Sequence, residues 1–465
     1  MITRIEELLF QLEEGNTLQD DRSSLDYAVV NRIVNSLDEV FKQQGFLKIQ
    51  CIYIAFQNDI DHAVVILYLL SRKINFYLRS NTGHHQQIPP FCDVLLTWTA
   101  EGATGVELSE RLELKRNSDC TGSEFIRPGS GKVFFSSSGS TGLPKFIMHT
   151  SASLLLNAQA VAERFKYGPE KKVLIPVPVN HMYGFGVGFL PSVMTGASIR
   201  LVDKNNVIKL FENLNSFQPD ITLLTPPVCK MLVLLNKTVP GNSLYISAGD
   251  KMKSSTYAAF ESRYGMLINL YGCTELGAIA TSHEKMTGEE RTEGVVRPLS
   301  NVRIIIEGDG KGEVLCRHPA AFEGYIDSNG KEIPLAEKKW FRTKDLGTRT
   351  GHKKFKVLGR TDHSINRLGY LVSFREIEFA LEELFTEIQE VIVVQDANEN
   401  MLGDRLIAYC QTEGPQALNK DAIKKICREK IPRHLIPDDF IFVAALPRLT
   451  NGKPDRQLLH KNNNN

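Results

Sequence analysis

Phe134 to Lys145 reads "FFSSSGSTGLPK", with four serines, a threonine and two glycines between Ser136 and Pro144 and a closing Pro-Lys. Side chains this short and polar cannot fill a core, and Gly139 and Gly142 leave the backbone unrestrained. Ser137, Ser138, Ser140 and Thr141 offer hydroxyls, the loop offers bare backbone N–H groups, and Lys145 adds an ammonium. That set suits the oxygens of a phosphate chain. A flexible Gly/Ser linker has the same composition. The Walker A pattern of Gly, four residues and Gly-Lys-Ser/Thr is absent, so a phosphate loop here is of another type.

Further stretches carry groups that chemistry around a phosphate uses. "LYGCTELG" (270–277) ends an apolar strand with a hydroxyl and a carboxylate, Thr274 and Glu275. A carboxylate beside a phosphate loop is a natural magnesium ligand, while a helix N-cap with Glu in its first turn uses the same two residues. "WFRTKDLG" (340–347) holds Asp345, and an exposed Asp at a strand end can accept from both hydroxyls of a ribose. "LGRTDHSINRLGYLVSFREIE" (358–378) opens with Arg360 and Asp362 flanking a candidate hinge. "LPRLTNGKPDR" (446–456) presents Lys453, which taken singly reads as solvated surface. His84 and His85, in "NTGHHQQIPP", read as loop residues rather than ligands.

The surrounding periodicity says what must position these groups. "KVFFSS" predicts a strand entering the serine loop and "ASLLLNAQAVAERF" a helix after it, a strand-loop-helix unit. Residues 25–80 alternate helix and strand in "VVNRIVNSLDEVF", "IQCIYIAF", "DHAVVILYLLSRK" and "INFYLR". From 171 the alternation resumes through "KVLIPVPV", "ASIRLVD", "VIKLFENL", "ITLLTP", "VCKMLVLL", "SLYISAG" and "MLINLYG". Such alternation predicts an α/β fold with a parallel sheet covered on both faces. Between 300 and 360, "VRIIIEGDGKGEVLCRH" predicts a turn-linked strand pair and "KKFKVLGR" another strand, a β-rich part. After Glu376, "EIEFALEELF", "VIVVQD", "RLIAYCQT" and "DAIKKICREKI" predict a small α+β unit. The boundary falls between Gly359 and Asp362, giving domains of residues 1–359 and 360–465.

A chain of 465 residues predicts two or three domains. Lys plus Arg (55) nearly cancel Asp plus Glu (54), so no global field recruits nucleic acid or an acidic membrane. The eight cysteines are scattered without a C-x-x-C pair or a Cys/His cluster, and no signal-peptide pattern precedes Gln11. Both features point to a reducing, cytoplasmic compartment. The longest apolar run, "AVVILYLL" at 63–70, is too short to span a bilayer.

Taken together, "SSGSTGLPK", "YGCTE", "RTKDLG", "GRTDHSINRLGYLVSFREIE" and "NGKPDR" resemble, in order and interval, the motifs of the adenylate-forming superfamily of acyl-CoA synthetases, non-ribosomal peptide adenylation domains and luciferase. The resemblance runs from about Val133 to Arg456. It implies a large N-terminal domain of two α/β subdomains plus a β-barrel, followed by a small mobile α+β C-terminal domain. It also implies roles. Ser137, Ser138, Ser140, Thr141 and Lys145, with Gly139 and Gly142 between them, would wrap the β and γ phosphates of ATP. Thr274 would touch the α-phosphate and Glu275 would hold Mg²⁺. Tyr271 and Gly272, with Ala248 and Gly249 of "SAGD", would form the adenine slot. Asp345 and Arg360 would contact the ribose, Lys453 would bridge the carboxylate and the α-phosphate, and Asp362 would be the hinge.

Three positions depart from the pattern: Lys344 replaces a glycine of Thr-Gly-Asp, Phe146 replaces the glycine after Pro-Lys, and Asn366 stands where a lysine is common. "PVPVNHMYGFGVG" (176–188) has His181 and Tyr183 where amino-acid-activating relatives carry an amine-binding Asp. It resembles the Pro-x-x-His-x-x-Gly of aryl- and fatty-acyl-CoA ligases, in which the His or the aromatic ring gates the acyl pocket. A core histidine is the bland alternative. The resemblance therefore implies an ATP-dependent ligase joining an aryl or medium acyl carboxylic acid to coenzyme A through an acyl-adenylate. Loading onto a carrier-protein phosphopantetheine and a non-catalytic nucleotide-binding homologue are the alternatives.

Overall fold

The computed structural model describes residues 5, 7, 15–46, 48–80, 88–98, 108–137, 145–202, 206–239, 243–335, 340–367, 370–395, 405–412, 419–448, 454–456 and 458–459. The early helix-strand alternation builds a sheet whose four parallel strands lie in the order Val133–Ser137, Phe76–Ser80, Ile52–Phe56, Val94–Trp98. Helix Ile60–Ser71 is apolar on every side and buried nearly throughout, as a helix enclosed by the fold requires. Its N-cap is Asp59, whose carboxylate accepts from the His62 N–H. Helix Tyr27–Gln43 buries only one stripe, with Val30, Val34, Leu37 and Phe41 inward and its charged residues toward solvent.

The second sheet has thirteen strands. Six are parallel neighbours: Leu267–Cys273, Leu244–Ala248, Ile221–Leu224, Lys172–Ile175, Ser198–Leu201 and Thr17–Gln19. Beyond Leu267–Cys273 the pairing turns antiparallel through Gly277–Thr281, Val295–Pro298, Lys354–Arg360, Phe341–Gly351, Lys311–Arg317 and Arg303–Ile306. These last strands are the β-rich part.

The expected strand-loop-helix unit is corrected by the structure. A further strand, Lys145–His149, lies between the loop and helix Ser151–Phe165 and pairs antiparallel with Val133–Ser137, Ser137 facing Lys145. The serine loop is the connection of a hairpin. Phe146, Ile147 and Met148 are all buried, and a three-residue apolar run has no period by which sequence can separate strand from loop exit. The helix starts afresh at Thr150, whose hydroxyl caps the Ser153 N–H.

Past Arg360 a separate apolar cluster begins. Ile365, Val372, Ile377, Leu381, Val391 and Phe440 pack with helices Phe374–Leu384 and Lys420–Lys430 against strands Ile388–Gln395, Leu406–Thr412 and Asp439–Val443. A turn at Thr361–His363 joins this module to the large sheet. Among the described residues, no helix is long and apolar enough to cross a membrane.

Candidate active site

In open α/β sheets a ligand sits outside the carboxyl ends of the parallel strands, and several of the candidate residues occupy that edge. Ala248 ends its strand beside Leu270, and Gly249 follows with φ +103° and open space where a side chain would be. Only glycine holds that conformation without strain. Tyr271 and Gly272 lie one and two residues further on in the next strand. Gly272 is required for packing, since a Cβ there would sit 2.2 Å from the Gly277 carbonyl oxygen. Thr274 and Glu275 form the turn between two antiparallel strands, which removes the helix N-cap alternative.

Around this turn the structure assembles a charged group. The Tyr271 hydroxyl donates to Asp345 Oδ2 at 2.6 Å, and Arg360 Nη1 stands 3.6 Å from Asp345 Oδ1. Asp345 and Arg360 face each other directly across neighbouring strands, and Arg360 also pairs with Asp362 at 3.2 Å. Asp345 lies within strand Phe341–Gly351 with its side chain 14% exposed, so the expected exposed Asp at a strand end is corrected: a register shift after Leu346 re-aims the strand, and Tyr271 covers the carboxylate. Burial is the first cause that pushes the Asp345 carboxyl up to about 6, with Tyr271 and Arg360 opposing it. Burial, and then the Asp345 charge, hold the Tyr271 hydroxyl well above its ordinary value. Lys344, next in line, has φ +58°, a left-handed conformation that favours glycine.

Two residues that the sequence reading did not single out tie the serine hairpin to this group. Tyr325, on strand Gly324–Ile326 beside Lys145–His149, donates its hydroxyl to Glu275 Oε1 at 2.9 Å. The Lys145 ammonium lies 6.0 Å from the centre of the same ring. His149, buried at the end of the hairpin strand, contacts the Thr274 carbonyl oxygen through Nε2 at 2.7 Å. Burial lowers its pKa to about 4, so the ring is neutral and Nε2–H is the donor. Neither residue has a neighbour in sequence that hints at its partner. Asn157 does the same for the next strand: its amide donates to the Gly186 carbonyl at 2.7 Å and accepts from the Ala278 N–H at 2.9 Å.

His181 is exposed, so it is not a core histidine. Tyr183 is anchored by its hydroxyl, 2.7 Å from the Ile246 carbonyl in the middle of strand Leu244–Ala248 and 3.1 Å from that of Leu224 at the end of the neighbouring parallel strand. The following "GFGVGF" forms a π-helical turn, Gly184–Phe189, pressed so closely on the chain that a Cβ at Gly184 would lie 2.3 Å from the Pro178 carbonyl oxygen. Asp362 sits in the exposed connecting turn. Ser138, Gly139, Ser140, Thr141, Gly142 and Lys453, with His84 and His85, lie outside the described residues, and Ser137 is placed by its backbone pairing alone.

Residues 110–326 match the family of AMP-binding enzymes and residues 376–453 match the AMP-binding enzyme C-terminal domain. The chain belongs to the adenylate-forming superfamily. It is 25% identical over 343 residues to a sulfoacetate–CoA ligase of Cupriavidus necator, covering 71% of this chain and 67% of that one. With a medium-chain fatty-acid–CoA ligase of Escherichia coli it shares 26% identity over 70% of this chain and 60% of the relative. With a naringenin synthase of Pestalotiopsis fici the identity is 29% over 69% of this chain, which spans 12% of that protein. The fold is that of ATP-bound MatB from Rhodopseudomonas palustris, at TM-score 0.81 and 16% identity over 99% of both chains. It also matches o-succinylbenzoate CoA synthetase from Bacillus subtilis in complex with its acyl-adenylate, at TM-score 0.80 and 18% identity over 98% of both.

Proposed function

We propose that this chain is an ATP-dependent acid–thiol ligase. A carboxylate oxygen attacks the α-phosphorus of ATP and pyrophosphate leaves; a thiol sulfur then attacks the acyl carbon and AMP leaves. The observation that carries the reading is the Tyr271, Asp345 and Arg360 group beside the Thr274–Glu275 turn, at the strand ends of a chain from the AMP-binding family. Asp345 accepts from the ribose hydroxyls with Arg360 beside it, and Ala248, Gly249, Tyr271 and Gly272 border the adenine. Ser137, Ser138, Ser140, Thr141 and Lys145, with Gly139 and Gly142 between them in sequence, hold the β and γ phosphates, and Thr274 meets the α-phosphate. Tyr325 occupies one oxygen of Glu275, and the other suits a Mg²⁺ ion that takes one protein carboxylate and fills its shell with phosphate oxygens and water. When bound, that ion offsets phosphate charge. Lys453 lies between the two anions as they meet, and Asp362 is the hinge between residues 1–359 and 360–465, about which the second module turns.

Free coenzyme A is the acceptor favoured by a cavity of about 570 Å³ on the C-terminal module, lined by Arg367, Lys424, Arg428 and Arg433 against a single acid, Asp438. Arg367 pairs with Asp438 at 2.9 Å, and the three other cations around the opening suit a thiol carrying phosphates. The exposed His181 and the anchored Tyr183 ring favour an aryl or medium acyl acid over an amino acid. A screen for pyrophosphate release over aryl, aliphatic and amino acids, with and without coenzyme A, tests the reading. Aryl or aliphatic acids should support release, and coenzyme A should be consumed. A strong, selective response to one α-amino acid would refute the pocket assignment, and no release with any acid would sink the ligase reading.

A further inference from the structure

The "SAGD" segment ends on Asp250, and that residue touches the C-terminal module. Arg375 Nε, buried and without a hydrogen-bond partner, stands 3.4 Å from Asp250 Oδ1, and Nη2 of the same guanidinium donates to the Lys251 carbonyl at 3.3 Å. Its Nη1 lies 3.5 Å from Glu378 Oε2 and 3.5 Å from Glu382 Oε1. Glu378 is fully buried, and its other oxygen is 2.6 Å from Arg456 Nη1. Arg456 also donates to the Val393 carbonyl at 2.7 Å, and it follows Lys453 by three residues. Charges of alternating sign thus run from Asp250, at the end of the "SAGD" segment, through the start of helix Phe374–Leu384, to Arg456.

Each buried carboxylate in this row is also fixed by backbone. Glu378 Oε1 accepts from the Val393 N–H at 2.8 Å, and Glu382 Oε1 from the Val391 N–H at 3.0 Å. The inner rungs therefore belong to the C-terminal module and travel with it. Two contacts of this row cross between the modules, the Asp250 ion pair and the bond to the Lys251 carbonyl, beside further crossings by Lys311 to Glu376 at 2.9 Å, Lys253 to the Ile388 carbonyl at 3.0 Å and the Ser254 N–H to Glu383 at 2.6 Å; the Asp250 rung stands on the exposed side, with Asp250 61% exposed. An ion pair at that distance in partial contact with water is weak enough to break when the module moves, yet it aligns a rigid row behind it.

We propose that Arg375 is a positioning residue: by docking on Asp250 it registers the C-terminal module against the nucleotide end of the large domain and, through Glu378, holds Arg456, three residues after Lys453. This inference rests on the ligase reading above. Lys453 is given work only in adenylate formation, so loosening the row acts on that step and spares the transfer to thiol. A residue that merely stabilised the fold would move both.

The test uses the full chain and two variants. Asp250→Asn breaks the Asp250 rung and leaves the buried row intact, while Arg375→Met removes the docking charge and keeps the stem. Pyrophosphate release from acid and ATP should fall on the order of 10-fold or more in Arg375→Met and about three- to fivefold in Asp250→Asn. Conversion of supplied acyl-adenylate to thioester should stay within about twofold. Hydrogen exchange across residues 446–459 should rise about threefold or more in Asp250→Asn, although that substitution lies on the other module. Equal loss of both half-reactions, no loss of either, or unchanged exchange across 446–459 overturns the proposal. If the parent releases no pyrophosphate with any acid, the ligase reading fails by itself and the exchange measurement alone decides the row.

Discussion

Asp345 shows what one buried carboxylate does at this site. Its identity and spacing were legible in "RTKDLG"; its burial under Tyr271 was not, because that contact joins strands from distant parts of the chain. With a folded pKa of about 6 against an ordinary 3.8, the protonated form is the one that folding favours. Its contribution to stability is fully present below pH 3.8 and is lost as the pH rises through about 6. Above that, holding the charge costs roughly 3 kcal/mol. Asp345→Asn should therefore be more stable than the parent at pH 7.5, the gap in Tm closing as the pH falls toward 4. ATP affinity, measured by calorimetry, should drop about tenfold, since the charge proposed to receive the ribose hydroxyls is gone. A variant that melts lower than the parent at pH 7.5 would show the carboxylate to be satisfied rather than penalised.

At the scale of elements, long periodic segments were readable and short apolar ones were not. The helix over 60–71 and the run of parallel strands follow from their patterns, whereas "KFIMH" carries no period and its strand was missed. With it went His149, and the unread strand Gly324–Ile326 hid Tyr325. Thr274 and Glu275 were legible as a chemical pair, but only strand pairing shows that they form a turn rather than a helix start. Phe146, in the position of a family glycine, explains how this hairpin is held. Its ring centre is 5.1 Å from that of Tyr77 and 4.9 Å from that of Phe91, inside an apolar layer with Phe134 and Met148 of the hairpin strands. Phe146→Ala should cost about 3–5 kcal/mol in urea unfolding. A loss under about 1 kcal/mol would mean that the layer closes around the gap.

For the whole molecule, the order of five motifs made the superfamily legible, while the contacts between modules were invisible because Asp250 and Arg375 sit in segments with no pattern linking them. The two-module arrangement makes a prediction about Lys453. In the proposed reaction its ammonium would offset a repulsion that peaks in the transition state of adenylate formation, so Lys453→Ala should lower pyrophosphate release by on the order of 10² to 10³. Supplied acyl-adenylate should still be converted to thioester at close to the parent rate, as a stopped assay with synthetic adenylate would show. Equal loss in both assays with the fold intact would remove the lysine from that role. The hairpin has a different consequence, one of assembly. Residues before Ser138 contribute the strands from Ile52 to Ser137 to one eight-stranded sheet, and residues after Pro144 contribute the rest of it. A chain severed between them leaves two polypeptides whose shared sheet runs across the cut, with both ends of the break beside the place assigned to a triphosphate. Such halves would make a split reporter in which the nucleotide acts as the adhesive.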